Sequence, residues 1–562
     1  MVGRGHFQDK IMIQSLSAFD RAKNLKAHSE ETFDLCIIGG GINGAGVARD
    51  AASRGMKVAL IEARDFASGT SSRSSKLIHG GIRYLENYEF GLVFEALSER
   101  RRLFEIAPHL VHPLRFVIPL YKGGRVGPFL MGLGMWLYDA LALFETPEPH
   151  EYLSPREAHE RLPALRTADL RGAYAYSDAY MDDDRLVLET LRSAAAFGAV
   201  IVNYVKAESA EMQNGKVVAI GARDTRAGGG EIKIRARHFV STVGPWTDQV
   251  APKLVGEWRP KMRPSKGVHL TFQKERLPLH LAVVMGAEER IVFGIPRHEM
   301  VIVGTTDTDY KGDPADVHTS REDVDYLLAV IGRYFPGAEI QESDIVASYA
   351  GVRPLVDDRA ISESKTSREH QILLDPHNVT FVMGGKYTTY RLIAEQTVAT
   401  CLSTFTWEEQ VHFGRNQTKT PLNPLVTSEL FHQRAIAVAQ LGREFEIDEK
   451  LASALFDRHG HEAFRLLTKY LKTYAALEGE SRQWAIEAAH AIESTMCMSI
   501  ADFFLRRTPL VLSRPDHGRE SFLPAVERVF RDQFGLSDAE LKEQVKEFDD
   551  YLRQELAWAF SS

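Results

Sequence analysis

FDLCIIGGGINGAGVARDAASRGMKVALIE, residues 33–62, decides the fold. FDLCIIG is a short apolar run of the kind that forms a strand buried on both faces. GGINGAG follows as a glycine turn, VARDAASRG continues as a helix of small residues, and MKVALIE reads as a second strand ending on Glu62. Strand, turn, helix and strand make the first unit of a doubly wound parallel sheet. Gly39, Gly41 and Gly44 fit the pattern G-x-G-x-x-G. With this many glycines about 0.2 matches per chain arise by chance, so the pattern counts only through its setting. In that setting the first glycine allows the tight turn, the second lets backbone approach a pyrophosphate, and the third brings helix close to strand. Glu62 stands 18 residues after Gly44, where an acid accepts hydrogen bonds from a ribose diol. The helix start offers unpaired N–H groups to the phosphates. A dinucleotide is therefore expected, and this unit serves NAD and FAD equally.

The chain has 562 residues, enough for about three or four domains at roughly 150 residues each. Hydrophobic residues at 44% and charged residues at 26% exclude a mainly disordered, collagen-like or coiled-coil chain. Sixty-eight basic against 76 acidic residues give a net charge of -8, which argues against generic nucleic-acid binding. Cys36, Cys401 and Cys497 lie far apart without a CxxC, which speaks against a disulfide framework and a zinc site. No metal is expected. Residues 1–31 carry no apolar core of the length a secretory signal needs; they read as a variable extension with a short amphipathic helix.

Alternating strand-like and helical runs continue to about residue 400, and beyond about 427 the pattern is almost wholly helical, as in SELFHQRAIAVAQLG. The polar stretch NQTKTPLNP, 416–424, marks a boundary. One segment raises the question of a membrane: VGPFLMGLGMWLYDALALF, 126–144, with Asp139 as its one charge. Three readings fit it: a buried helix of a large domain, a face docked on a membrane, or a span of about 20 residues. Pro128, three glycines and the acid weigh against the span.

After Glu62 comes ARDFASGTSSRSSKLIHGGIRYLE, rich in hydroxyls and small residues. Such a run either packs under a phosphate and flavin or forms a solvated loop. Here the sequence resembles the FAD-dependent glycerol-3-phosphate dehydrogenases, respiratory flavoenzymes with a D-amino-acid-oxidase-like fold. IIGGGINGAGVARDAASRG, TSSRSSKLIHGGIRYLE, STVGPW, IVGTTDTDYKGDP, YAGVRPL and GGKYTTYR occur in that family's order. The likeness is strong over about 33–400 and weaker to about 535, where GHEAFRLL and FFLRRTPLVL resemble the family's C-terminal helices. One departure is STVGPW, with Val243 where the family more often has a different residue.

The resemblance implies a doubly wound FAD-binding α/β fold, an inserted antiparallel substrate domain and a C-terminal helical domain. The expected parts are an FAD-dependent oxidoreductase region at 32–405 and C-terminal helices at 406–545. Within the former, FAD-binding segments fall at about 32–110, 172–250 and 346–405, and substrate-binding segments at about 111–171 and 251–345. The implied reaction oxidises sn-glycerol 3-phosphate to dihydroxyacetone phosphate and passes electrons through FAD to a membrane quinone. This places the chain in the cytoplasm, attached peripherally to the inner face of the membrane; a homodimer is left open. FAD is expected at Gly39, Gly41, Gly44, Glu62, Thr70, Ser71, Ser72, Gly80, Gly244, Gly385, Lys386 and Thr388, the last as cap of the next helix.

Phosphate recognition favours arginine, whose planar fork donates two parallel hydrogen bonds. Arg83, Arg353 and Arg368, with the hydroxyl of Tyr84, match the family's substrate pocket. His269, in the alternating strand SKGVHLTF, has an imidazole suited to accept the hydroxyl proton. Lys386 could stabilise the forming alkoxide or the reduced flavin. His269, Lys386 and Arg353 are thus the catalytic candidates, and Thr306 and Asp307 fit either a substrate loop or a plain turn. Two enzymatic rivals share the fold: an oxidase that returns electrons to oxygen, and an amine or amino-acid oxidase. A non-catalytic flavin sensor is disfavoured by the retained arginines, His269 and Lys386.

Overall fold

The computed structural model describes residues 16–124, 126–287, 290–357 and 370–560. The opening unit forms as expected: strand Thr32–Ile38, helix Ile42–Ser53 and strand Val58–Ile61. Thr32–Ile38 is central to its sheet, pairing parallel with Val58–Ile61 on one side and Glu231–Ser241 on the other. Val200–Val202 and Val379–Met383 extend the sheet, again in parallel, and Gln371–Asp375 closes one edge as a hairpin. Leu35, Cys36 and Ile37 are fully buried, the all-apolar signature of a parallel strand covered on both faces. Helix Ile42–Ser53 packs on helices Asp183–Ala196 and Tyr390–Leu402. A Cβ on Gly46 would sit 3.0 Å from the Tyr390 ring, so glycine sets the close approach of two helices.

A second sheet of ten strands is largely antiparallel, running from Thr308–Asp309 through Ser265–Gln273, Met300–Gly304, Arg290–Arg297, Ala282–Ala287, Val111–Tyr121 and Leu170–Met181 to Leu77–Ile78. Residues 172–181 and 346–353, expected among the FAD-binding segments, belong to strands Leu170–Met181 and Ile345–Arg353 of this sheet. They pair antiparallel along nearly their whole length with Val111–Tyr121 and Ser265–Gln273.

From Ser428 onward the described chain is helical, around an apolar core that includes Leu455, Phe456, Ile486, Phe503 and Phe530. Helix Arg21–Glu30 differs from the amphipathic helix expected. Its buried residues are Arg21 and His28, and Arg21 is seated by a two-pronged bond to Asp224 at 2.7 and 3.0 Å.

The suspect apolar segment forms the helix Pro128–Leu141. Fourteen residues reach about 21 Å at 1.5 Å per residue, short of the roughly 30 Å hydrocarbon core. No helix among the described residues is long and apolar enough to cross a membrane. Met135, Tyr138 and Asp139 face inward, and His150 Nδ1 lies 2.7 Å from the Asp139 carboxylate. Phe129 (88% exposed), Leu130, Leu133 and Trp136 (61%) face outward. The fully buried reading therefore fails for this face.

Candidate active site

A cavity of about 870 Å³ opens where the two sheets meet. Twelve of the candidate residues line it: Gly39, Gly41, Glu62, Thr70, Ser71, Tyr84, Gly244, His269, Arg353, Gly385, Lys386 and Thr388. Six basic residues border it, of which Arg73 and Arg353 are paired with Glu555 and Asp307; Arg64, Lys206, Lys253 and Lys386 remain against Glu62 and Asp313. In a chain of net charge -8 this local reversal favours an anionic ligand.

The glycine turn has the geometry that close approach of backbone requires. Gly39 has φ +111°, and a Cβ there would lie 2.8 Å from the Thr242 carbonyl oxygen. A Cβ on Gly44 would lie 1.9 Å from the Gly39 carbonyl oxygen, so Gly44 lies outside the cavity wall and seats helix on strand. Gly41 precedes the helix, and a Cβ there would meet Ser71 Oγ at 3.0 Å. The Ser71 hydroxyl accepts the Ile42 N–H at 3.0 Å, so it caps the helix start as well as lining the cavity. Glu62 accepts from the N–H groups of Gly40 (2.7 Å) and Arg64 (2.9 Å). Burial pushes its carboxyl up, against these two donors. Backbone stripped of side chains, a helix start and an oriented carboxylate fit a dinucleotide.

The opposite wall is built from the second sheet. His269 is buried and its ring stacks on Tyr349 at 4.8 Å. Its Nε2 lies 2.8 Å from Ser75 Oγ, and Nδ1 has no hydrogen-bond partner. Gly304 makes room for the ring, since a Cβ there would lie 2.2 Å from its Cδ2. Burial holds His269 well below the ordinary imidazole range, aided by the positive charges of Arg353 and Lys76; it is neutral at physiological pH. Arg353 donates to Asp307 Oδ1 at 2.6 Å and Thr305 Oγ1 at 3.0 Å. Gly267 leaves space for that guanidinium, 2.7 Å from where its Cβ would be. Asp307 thus orients Arg353, and the Thr306 hydroxyl accepts the Val268 N–H. The Lys386 ammonium sits 3.5 Å from the centre of the Tyr84 ring.

Other candidates fall elsewhere. Thr388 lines the cavity but is not a helix cap: its hydroxyl exchanges hydrogen bonds with the His79 backbone, and Thr389 precedes helix Tyr390–Leu402. Ser72 lines a smaller neighbouring cavity of about 280 Å³. The Gly80 N–H donates to Tyr138 Oη and Asp178, and a Cβ there would strike Tyr138 and Leu97; Gly80 is a packing residue. Arg83 lies in the 3-10 turn Ile82–Asn87, outside the cavity wall. Arg368 falls outside the described residues.

Sequence reasoning missed Arg64, Arg73, Ser75 and Trp246 in the wall. Arg73, Ser75 and Trp246 stood inside quoted motifs, but no role was assigned to any of them there. Among the described residues one group, His459, Glu462 and His490, brings potential metal-ligand atoms within 4.8 Å. Glu462 there is ion-paired to Arg192 and accepts from Asn423, and His459 is bonded to Glu487; these contacts account for the group as a buried ion network.

The family profile described as "FAD dependent oxidoreductase" matches residues 34–391. The chain belongs to that family. The C-terminal domain of alpha-glycerophosphate oxidase matches residues 423–560 of this oxidoreductase. A relative from Bacillus subtilis, named aerobic glycerol-3-phosphate dehydrogenase, is 37% identical over 89% of this chain and 91% of its own. The crystal structure of the glycerol-3-phosphate dehydrogenase from Bacillus halodurans complexed with FAD superposes with TM-score 0.80 at 28% identity, over 98% of this chain and 100% of that one. L-alpha-glycerophosphate oxidase from Mycoplasma pneumoniae shares the fold, with TM-score 0.54 at 17% identity over 69% and 98%.

Proposed function

We propose that this oxidoreductase binds FAD along the glycine turn and oxidises sn-glycerol 3-phosphate to dihydroxyacetone phosphate. The observation that carries the reading is a single cavity in which the turn at Gly39–Gly41 meets His269, Arg353 and Lys386 in a wall with more basic than acidic side chains. Bound FAD supplies the acceptor for the hydride on carbon 2. The chain's residues do the rest. Arg353, held in orientation by Asp307, binds the substrate phosphate. Neutral His269, its ring fixed by Ser75 and Tyr349, takes the proton of the carbon-2 hydroxyl. The Lys386 charge, held over Tyr84, stabilises the oxygen as that proton leaves.

The outward face of helix Pro128–Leu141 supports peripheral docking on a lipid bilayer, where the acceptor is a membrane quinone. Phe129, Leu130, Leu133 and Trp136 form one apolar helix face with an interface-seeking tryptophan.

The test is a product assay with purified protein and a soluble quinone analogue. Dihydroxyacetone phosphate and reduced quinone should form in equal amounts, with little hydrogen peroxide in air. Peroxide as the main reduced product would assign oxygen as acceptor, and turnover of amino acids in place of glycerol 3-phosphate would refute the substrate.

A further inference from the structure

The loop between Glu62 and Arg73 forms one wall of the flavin cavity through Glu62, Arg64, Ser68, Gly69, Thr70 and Ser71. Its middle is tied to the glycine turn by the Ala67 N–H, which donates to the Gly40 carbonyl. Two side chains of this loop point the other way, into the C-terminal helices. Asp65 is 1% exposed and takes three hydrogen bonds from two arginines: Arg506 Nε at 2.5 Å, and Arg507 Nη1 and Nη2 at 2.6 and 3.1 Å. These arginines belong to FFLRRTPLVL, the C-terminal motif for which the reaction has no use. The second outward side chain, Arg73, donates to Tyr551 Oη at 2.8 Å and pairs with Glu555 at 2.7 Å.

We propose that the C-terminal helices are a flavin clamp: Arg506 and Arg507 through Asp65, and Tyr551 and Glu555 through Arg73, hold the 62–73 loop in the form that retains FAD. The inference rests on the cavity being the flavin site. All four are positioning residues, since none lines the flavin cavity.

The physical argument is one of alternatives. Asn203 Nδ2 also donates to Asp65, at 3.2 Å, but a neutral amide cannot balance a buried carboxylate, so its charge rests on the two guanidiniums. If the C-terminal helices shift, Asp65 must reach water and take the loop with it. Glu62 and Ser71, three residues before and six after, then lose the positions that form the wall. The two grips are at opposite ends of the loop, so neither alone fixes the segment between them. The smaller cavity between loop and C-terminal helices shares Arg64, Ser68, Arg73 and Tyr204 with the larger one, so one layer of residues separates clamp from cofactor site.

The decisive experiment measures the FAD dissociation constant, by fluorescence titration of deflavinated full-length protein, for Arg506→Lys, Arg507→Lys and the pair Tyr551→Phe with Glu555→Gln. The lysine variants keep the charge that balances Asp65, so folding is preserved while the fork is lost. The clamp predicts that each weakens FAD binding by roughly tenfold, and that combining the two sides weakens it further. At saturating FAD the KM for glycerol 3-phosphate should stay at the parent value, because Arg353, His269 and Lys386 are untouched. A purely structural role would lower the apo-protein melting temperature and leave the dissociation constant of the folded protein unchanged; that result overturns the clamp. Parent protein that binds FAD alongside variants that bind it equally well also overturns the clamp alone. Parent protein that binds no FAD overturns the flavin reading on which it stands.

Discussion

The turn at 39–44 and the wall carrying His269 and Arg353 face one cavity but are built in opposite ways. In the turn, function resides in the backbone: positive φ at Gly39 shapes the surface, and the absence of a Cβ at Gly44 lets the helix seat behind it. In the wall, function resides in side chains brought together from Ser75, residues 265–273, residues 304–307 and Arg353, strands and loops up to 278 residues apart. The first depends on short spacing and breaks at once when a methyl group is added. The second depends on the register of a ten-stranded sheet and should lose its properties one interaction at a time.

Gly44→Val is therefore expected to have the largest effect. A Cβ 1.9 Å from the Gly39 carbonyl oxygen cannot be accommodated by a side-chain rotation, so the variant should yield no flavin-bound protein by visible absorbance. Gly41→Val meets only a hydroxyl, at 3.0 Å, and should fold with reduced flavin occupancy. Equal occupancy in both would remove the distinction between a packing glycine and a ligand-facing one.

On the wall, Arg353→Ala should lower kcat/KM for glycerol 3-phosphate by roughly ten- to several-hundred-fold, from about 1.5–3 kcal/mol per charge-assisted hydrogen bond. FAD content should stay normal, and Arg353→Lys should recover only part of the loss. Slow turnover of glycerol, which lacks the phosphate, should barely change. An equal loss for both substrates would assign Arg353 to the fold or the chemistry.

How far each region was legible follows from the same contrast. The glycine turn, its strands and the first helix could be read from 30 consecutive residues, because their geometry is local. Arg353 and His269 could be nominated only through family resemblance, because no spacing in the sequence reveals that Gly304 and Gly267 leave room for them. Gly80 and Thr388 show the limit in the other direction. Both sit inside shared motifs, yet Gly80 packs against Tyr138 and Thr388 bonds to the His79 backbone. Arg73 also sits inside a shared motif, yet its partners Tyr551 and Glu555 could not be read, because they lie almost 500 residues away.

Outside the cavity, the apolar helix face offers a milder perturbation. Phe129→Ser with Trp136→Ser should weaken binding to phospholipid vesicles by about tenfold or more, given about 25 cal/mol per Å² of apolar surface withdrawn from water. Because both side chains are exposed, the melting temperature should hold. Vesicle binding equal to the parent's would remove this face as the docking surface.

The smallest effect concerns acid stability. Burial lowers His238 to about 4 and His490 to about 3, from an ordinary 6.5. Both are neutral in the folded state while the unfolded chain begins to protonate near 6.5, so the unfolded state binds more protons as pH falls. Stability should therefore be intact above pH 6.5 and decline steadily towards pH 4. His490→Gln should flatten part of that decline in a series of thermal melts, and an unchanged slope would show that His490 does not contribute.

The claim that turn and wall form one active site is tested most directly by the flavin spectrum under anaerobic conditions. Glycerol 3-phosphate added to the purified yellow protein should bleach the visible flavin band within the time of mixing and turnover, while glycerol at the same concentration bleaches it far more slowly and amino acids leave it unchanged. A flavin band that persists with glycerol 3-phosphate, or that an amino acid bleaches instead, would contradict the account.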